Sequence, residues 1–140
     1  VFVKTKNTSF GKIEFHEWSS NLQQWAAHVV TAQSDNEASN GLVIARGEKM
    51  VFVKNANTPS GTFEFHEFSS NFQDWTLHIV STQPNSEMAN GAIVSVGDRL
   101  AYVKYKNTPS GQMEIHEWTT NFSDWASHIV SNQSIGEALY

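Results

Sequence analysis

The residues of this chain that carry the most chemistry recur at fixed positions. His16-Glu17, His66-Glu67 and His116-Glu117 stand 50 residues apart, and each has a further carboxylate two places before the histidine, at Glu14, Glu64 and Glu114. A histidine beside a carboxylate invites an acid-base or a metal reading. On a strand, however, adjacent side chains point to opposite faces, so a His16-Glu17 pair cannot jointly grip one ion. Glu14 and His16 do share a face, yet one carboxylate and one imidazole make an incomplete metal site. An active site is also seldom built several times over in one small domain. The pattern predicts neither a metal nor a catalytic centre, and no cofactor.

The aromatic residues that follow suggest another chemistry. Trp18, Phe68 and Trp118 come directly after the pairs, next to hydroxyl residues and Asn21, Asn71 and Asn121, and Trp25, Trp75 and Trp125 follow in register. A flat aromatic face beside hydrogen-bonding side chains suits a sugar, which has apolar C–H patches and a rim of hydroxyls. The candidate sugar-binding set is therefore His16, Glu17, Trp18, Asn21 and Trp25 with their counterparts His66, Glu67, Phe68, Asn71 and Trp75, and His116, Glu117, Trp118, Asn121 and Trp125. For Trp18, Phe68 and Trp118 a ligand role and a packing role both stand open. For Trp25, Trp75 and Trp125, mid-strand and close to apolar residues, packing is the expected role. His28, His78 and His128, set beside Val and Ile, read as satisfied interior histidines. Asn7, Asn57 and Asn107 read as turn braces, because Asn side chains readily hydrogen-bond local backbone.

The elements that must position these residues repeat with the same step, without insertion or deletion, and the flanks Val1, Val51 and Ala101 keep it too. A period of about 20 to 50 residues marks a repeat architecture, in which one supersecondary unit stacks on its neighbours. The chain divides into copies 1–50, 51–100 and 101–140, and its length suits one domain. Val1 to Thr8 is rich in β-branched and aromatic residues and predicts a strand. The turn after it is clearest in Asn57-Thr58-Pro59-Ser60-Gly61, where Pro presets φ and Gly supplies a left-handed residue. Lys12 to Ser20 predicts the next strand, with Ile13, Phe15 and Glu17 on one face and Glu14, His16 and Trp18 on the other.

Leu22 to Gln33 is read as a strand rather than a helix capped by Ser20, because the equivalent His78-Ile79-Val80-Ser81-Thr82 is β-branched-rich and Pro84 follows closely. Asp35 to Asn40 is polar and predicts a loop. Leu42 to Ala45 is a short apolar strand that turns at Gly47 into Met50 to Val53. Each copy is thus four antiparallel strands, an all-β chain. In the third copy Ile135 to Tyr140 aligns with the loop Asn85 to Asn90, so the equivalent of Leu42 to Ala45 is missing. That leaves an edge which the tail or another chain must cover.

Composition narrows the function classes. The formal charge of −5 argues against nucleic acid, whose phosphates call for clustered Lys and Arg. With no cysteine, neither a disulfide framework nor a thiolate metal site is available, and the compartment stays open. The apolar runs are strand-sized, far short of a membrane span, and no secretory signal precedes Val1. The expectation is a soluble chain without membrane insertion, already processed if it is secreted.

Val51-Phe52-Val53-Lys54, the Asn-Thr-Pro-Ser-Gly turn and the Glu-x-His strand after it resemble the repeat of bacterial and fungal β-propeller proteins, the FG-GAP-like blades that include propeller lectins. The resemblance covers nearly the whole chain and implies four-stranded blades with sugar sites between adjacent blades. One departure is Arg46-Gly47-Glu48-Lys49 and Val96-Gly97-Asp98-Arg99, where such blades often carry an Asp-rich calcium loop; a basic residue stands where calcium would take oxygen ligands. Three blades cannot close a ring of the usual about four to eight. The expected assembly is a homodimer closing a six-bladed ring. The competing architecture is a β-trefoil. Gln23-Gln24-Trp25 and Gln73-Asp74-Trp75 are similar to the Gln-x-Trp signature of ricin-type trefoil lectins, although Ser123 breaks it in the third copy. Either architecture implies a non-catalytic lectin that binds glycans or glycoconjugates through repeated weak sites. The alternative is a structural or protein-binding repeat module with interior aromatics.

Overall fold

Short β-rich runs broken by Gly, Pro and Asn become short strands joined by tight turns. The computed structural model describes residues 1–139. Its strands are β1 (Phe2–Lys4), β2 (Lys12–Trp18), β3 (Trp25–Ser34), β4 (Gly41–Arg46), β5 (Lys49–Lys54), β6 (Thr62–Phe68), β7 (Trp75–Pro84), β8 (Gly91–Val96), β9 (Arg99–Lys104), β10 (Gln112–Trp118) and β11 (Trp125–Ser134). All the pairings are antiparallel. The Leu22 to Gln33 stretch is a strand, beginning at Trp25. The first strand is shorter than its composition suggests, ending at Lys4. Asp35–Asn40 is a 3-10 helix and not a loop, with the Ser34 side chain accepting from the Asn36 amide, and Asn85–Asn90 repeats it. Tyr140, the last residue of the third copy, lies outside the described residues.

The turns follow the chemistry read from sequence. The Gly61 amide donates to Thr58 O at 3.2 Å, and Gly61 takes a φ of 72°. Asn7, Asn57 and Asn107 sit at φ of 53°, 53° and 55°, a region that Asn tolerates better than most residues. The side chains of Asn57 and Asn107 reach further than expected for local braces. Asn57 Nδ2 donates to Asn40 Oδ1 and Asn107 Nδ2 to Asn90 Oδ1, each at 2.6 Å, pinning the strand exit to the preceding 3-10 helix.

Among the described residues the strands form a sheet β1-β2-β3 and two four-stranded sheets, β4-β5-β6-β7 and β8-β9-β10-β11. Each four-stranded sheet takes its first strand from one sequence copy and its other three from the next. The structural unit is therefore offset from the sequence repeat, and the first sheet has three strands, with no counterpart of β4 beside β1. Among the described residues no strand pairs with a strand of another sheet, so the sheets close no barrel. Nor is any helix among them long and apolar enough to cross a membrane.

The core lies between sheets. Phe15, on the Ile13 face of the first sheet, meets Phe68 edge-on at 4.9 Å and stacks on Phe72 at 5.0 Å, both in the second. One step on, Phe65 meets Trp118 edge-on at 5.0 Å and stacks on Phe122 at 4.7 Å. Backbone bonds fasten the same junctions, from Ala32 N to Gln73 O at 2.7 Å and from Thr82 N to Ser123 O at 3.2 Å. Phe72 and Phe122 hold left-handed φ values of 60° and 61°, which cost a bulky side chain roughly 1–2 kcal/mol. Burial of their rings in the neighbouring sheet offsets that cost.

Candidate functional site

In each sheet the His-Glu strand lies beside the long outer strand that follows it, and their register builds a cluster that the sequence does not display. His16 pairs directly with His28, His66 with His78 and His116 with His128. Glu14, two residues from His16 along β2, points to the same face. The outcome is a Glu-His-His group in every sheet, whose candidate ligand atoms all lie within 4.8 Å of one another. The two imidazoles stack with centroids 4.2–4.4 Å apart. The outer Nε2 donates to the carboxylate at 3.1, 3.1 and 3.0 Å for His28, His78 and His128. The inner Nε2 stands off from the same oxygen at 3.5, 3.9 and 3.7 Å for His16, His66 and His116.

This arrangement corrects two expectations. His28, His78 and His128 are not interior histidines; each is about half exposed on the outermost strand. The Glu14 and His16 pair is also not incomplete, because the neighbouring strand supplies a third donor. The electrostatics fit a buried carboxylate held by donors. Burial would raise the Glu64 and Glu114 carboxyls, but hydrogen bonds from Ser60 or Ser110 and from the outer histidine, with the imidazole charges, together hold both below the usual range. Burial, reinforced by His78, pushes His66 down to about 4, and burial with His128 lowers His116 likewise.

The first copy departs from the other two at one informative position. Ser60 Oγ and Ser110 Oγ each donate to Oε1 of their glutamate at 2.9 Å. The equivalent position is Phe10, and Glu14 Oε1 is buried without a hydrogen-bond partner. Phe10 is 67% exposed, so its removal forfeits little apolar burial. Phe10→Ser should therefore stabilise the fold by about 1 kcal/mol, seen as a rise in melting temperature of roughly 3 °C. The gain should vanish when Glu14 is also replaced by Gln, and an unchanged or lower melting temperature would refute the assignment.

The aromatics divide differently from the sequence reading. Phe68 and Trp118 are 1% and 2% exposed and serve as packing anchors between sheets, whereas Trp18, with no sheet in front of it, is 41% exposed. Trp75 and Trp125, expected to pack, are only partly buried. Each stacks on the aromatic of the strand two places away, Trp75 on Phe52 at 5.8 Å and Trp125 on Tyr102 at 6.1 Å. Trp25 does the same with Phe2 at 5.8 Å. Beside Trp125 lies a pocket of about 200 Å³ lined by Gln83, Glu87, Tyr102, Lys104, His116 and Trp125. It sits between the end of β7 with its 3-10 helix and the histidine face of the next sheet. Lys104 Nζ is held on Glu87 at 3.0 Å, and the Tyr102 hydroxyl donates to the Glu87 carbonyl. Burial, with Glu87 nearby, pushes that phenol up, so it remains a donor at neutral pH.

The previous junction repeats the constellation with Gln33, Glu37, Phe52, Lys54, His66 and Trp75, including the Lys54–Glu37 ion pair at 3.0 Å. A larger hollow of about 590 Å³ between Thr5–Asn7 and Asp35–Ser39 offers no aromatic surface. No family pattern, curated protein or solved structure matches this chain. Its chemistry is therefore read from the residues themselves.

Of the expected set, His116 and Trp125 line the pocket, and His66 and Trp75 take the equivalent places. Glu17, Glu67 and Glu117 are on the opposite face; Glu67 binds Lys49 at 2.8 Å and Arg46 at 3.2 Å, and Glu117 binds Arg99 at 3.1 Å. Asn21, Asn71 and Asn121 are absorbed in the outer hairpin turns, each accepting from the hydroxyl of Ser19, Ser69 or Thr119. Sequence reasoning missed Tyr102, Lys104, Glu87 and Gln83. The recurring Lys4, Lys54 and Lys104 were the visible signal, since a lysine kept at the same step on a strand has a fixed neighbour.

Proposed function

We propose that this chain is a non-catalytic, multivalent carbohydrate-binding protein that holds sugars at the junctions between its sheets. The observation that carries the reading is the Tyr102–Trp125 pocket, in which aromatic surface is bordered by Gln83, Glu87, Lys104 and His116. The rings match the apolar face of a sugar and the polar groups match its hydroxyls. At about 200 Å³ the pocket is smaller than the roughly 300–1,000 Å³ of sites for drug-sized ligands, which favours a single sugar unit. The equivalent residues one junction earlier, with Phe52 in place of Tyr102, would add valency, and linked weak sites can raise avidity by about 10²–10⁴.

A glycan array is expected to show a defined set of bound sugars, competed by free monosaccharide and accompanied by a change in tryptophan fluorescence. The double variant Trp75→Ala, Trp125→Ala should bind at least roughly tenfold more weakly while its circular dichroism stays that of the parent. A blank array at high protein concentration, with fluorescence indifferent to every sugar, would leave the repeat-module reading in its place.

The outer faces of the stack bear on assembly. The first sheet presents Trp18, Leu22 and Trp25, the counterparts of the Phe68, Phe72 and Trp75 surface on which Phe15 rests. The third sheet presents Ile115 and the exposed Ile129, the counterparts of Phe15 and Val29. These two faces have the chemistry of the junctions already formed, so a second copy can continue the stack into a six-sheet, propeller-like ring. Light scattering should give a dimer at micromolar concentration that Trp18→Glu dissociates; a monomeric parent chain would count against the ring.

A further inference from the structure

We infer that the clusters Glu14–His16–His28, Glu64–His66–His78 and Glu114–His116–His128 are sites for a borderline divalent transition-metal ion such as Zn²⁺, one per sheet. All six histidines of the chain belong to these clusters. Two imidazoles and one carboxylate are a donor set that Zn²⁺ takes with a further position left for water or a ligand oxygen. For bonds near 2.0–2.1 Å a tetrahedral site places its ligand atoms about 3.3 Å apart. Glutamate Oε2 lies 3.0–3.1 Å from the outer Nε2 and 3.5–3.9 Å from the inner one, on either side of that value.

The inner imidazole shows why a hydrogen-bonded triad is an incomplete account of the cluster. His16 is largely buried, and neither of its ring nitrogens has a hydrogen-bond partner, although Nε2 faces the carboxylate from 3.5 Å. In the other copies Nδ1 of His66 and of His116 is likewise unpartnered. A buried polar ring held just short of a carboxylate forgoes its bond for no gain unless something occupies the space between them. The carboxylate is almost fully buried, and the lysines next to it on the same face are engaged elsewhere, Lys54 on Glu37 and Lys104 on Glu87. In the second and third sheets the group thus presents negative charge that the lysine facing it does not neutralise.

The paired rings are within 7–10° of parallel, so their in-plane lone pairs run side by side. Convergence on one ion requires the outer ring to turn. That ring has room to do so, being about half exposed on the last strand of its sheet. It must also present an unprotonated Nε2. Its proton moves to Nδ1, and the bond it donated to the carboxylate is exchanged for a shared metal.

Titration calorimetry with Zn²⁺ alone tests the assignment without any sugar. Saturation is expected at three ions per chain, falling by one in each of His28→Ala, His78→Ala and His128→Ala, exposed positions whose loss leaves the core intact. Glu114→Gln, which keeps shape and the Ser110 contact while removing the charge, should weaken its own site at least tenfold. The inference is overturned by the absence of binding at micromolar Zn²⁺, by binding that persists in the triple histidine variant, or by a Glu114→Gln chain that binds like the parent.

Discussion

In the undimerised Trp18→Glu chain, Phe122→Ala will destabilise the fold by about 3–5 kcal/mol, while Leu22→Ala at the equivalent position of the first copy will change stability by less than about 0.5 kcal/mol. The two residues occupy the same turn with φ of 61° and 59°. Phe122 is 1% exposed and Leu22 71%. Phe122 fills the junction between the second and third sheets, stacked on Phe65 at 4.7 Å, with the Arg46 guanidinium 4.6 Å from its ring centre. Arg46 in turn donates to Glu67, to Asp98 O and to Thr120 O. Removing the ring leaves a cavity bounded by Phe65 and Trp118 and strips one face from a partly buried cation. Against a typical total of about 5–15 kcal/mol, that loss brings the chain close to unfolding. Urea midpoints of the two variants measure the difference; equal small shifts would mean that the sheets do not depend on this contact.

Gly91→Ala is expected to cost about 3 kcal/mol or more through overpacking. The backbone at Gly91 has a φ of −170°, extended geometry open to any residue, so the cost is one of space. A Cβ there would collide with the Val103 carbonyl and come within 2.6 and 2.7 Å of the Tyr102 ring. The carbonyl belongs to β9, paired with β8, and the ring is fixed by its bond to Glu87 and its stacking on Trp125. Neither can yield cheaply. Gly111→Ala provides the contrast, with nothing within 4 Å of the new Cβ but a φ of 70°, for about 1 kcal/mol of backbone strain. Denaturant unfolding should rank the two in that order. Because Tyr102 is also a wall of the junction pocket, Gly91→Ala should weaken any sugar binding as well; a variant as stable as the parent would show that the ring moves freely.

Much of the fold could be read from the chain because its causes are local. The step between copies, the alternation of Ile13, Phe15 and Glu17 with Glu14, His16 and Trp18, and the Pro-Ser-Gly turns depend on residue type and strand pleat alone. The 3-10 helix at Asp35–Asn40 escaped because polar residues with Ser34 as cap satisfy a loop and a short helix equally.

The candidate site was only half legible, and a single bulge explains most of the shortfall. Trp18 pairs with Trp25, but Glu17 pairs with Ala27, leaving Ala26 unmatched. Without that extra residue His16 would face Ala27 and His28 would turn to the other side of the sheet. Nothing in the local sequence announces the bulge, so His28 stayed unconnected to Glu14. The roles of the aromatics had to wait for the tertiary structure too. Trp18 and Trp118 are the same residue in the same local phrase, and only the presence of a preceding sheet makes one a surface residue and the other core. Sequence alone determined the strands, their faces and their period, since those follow from bonds and side chains within one stretch. Register across the hairpin and contact between sheets decided which side chains meet, because both depend on residues far away in the chain.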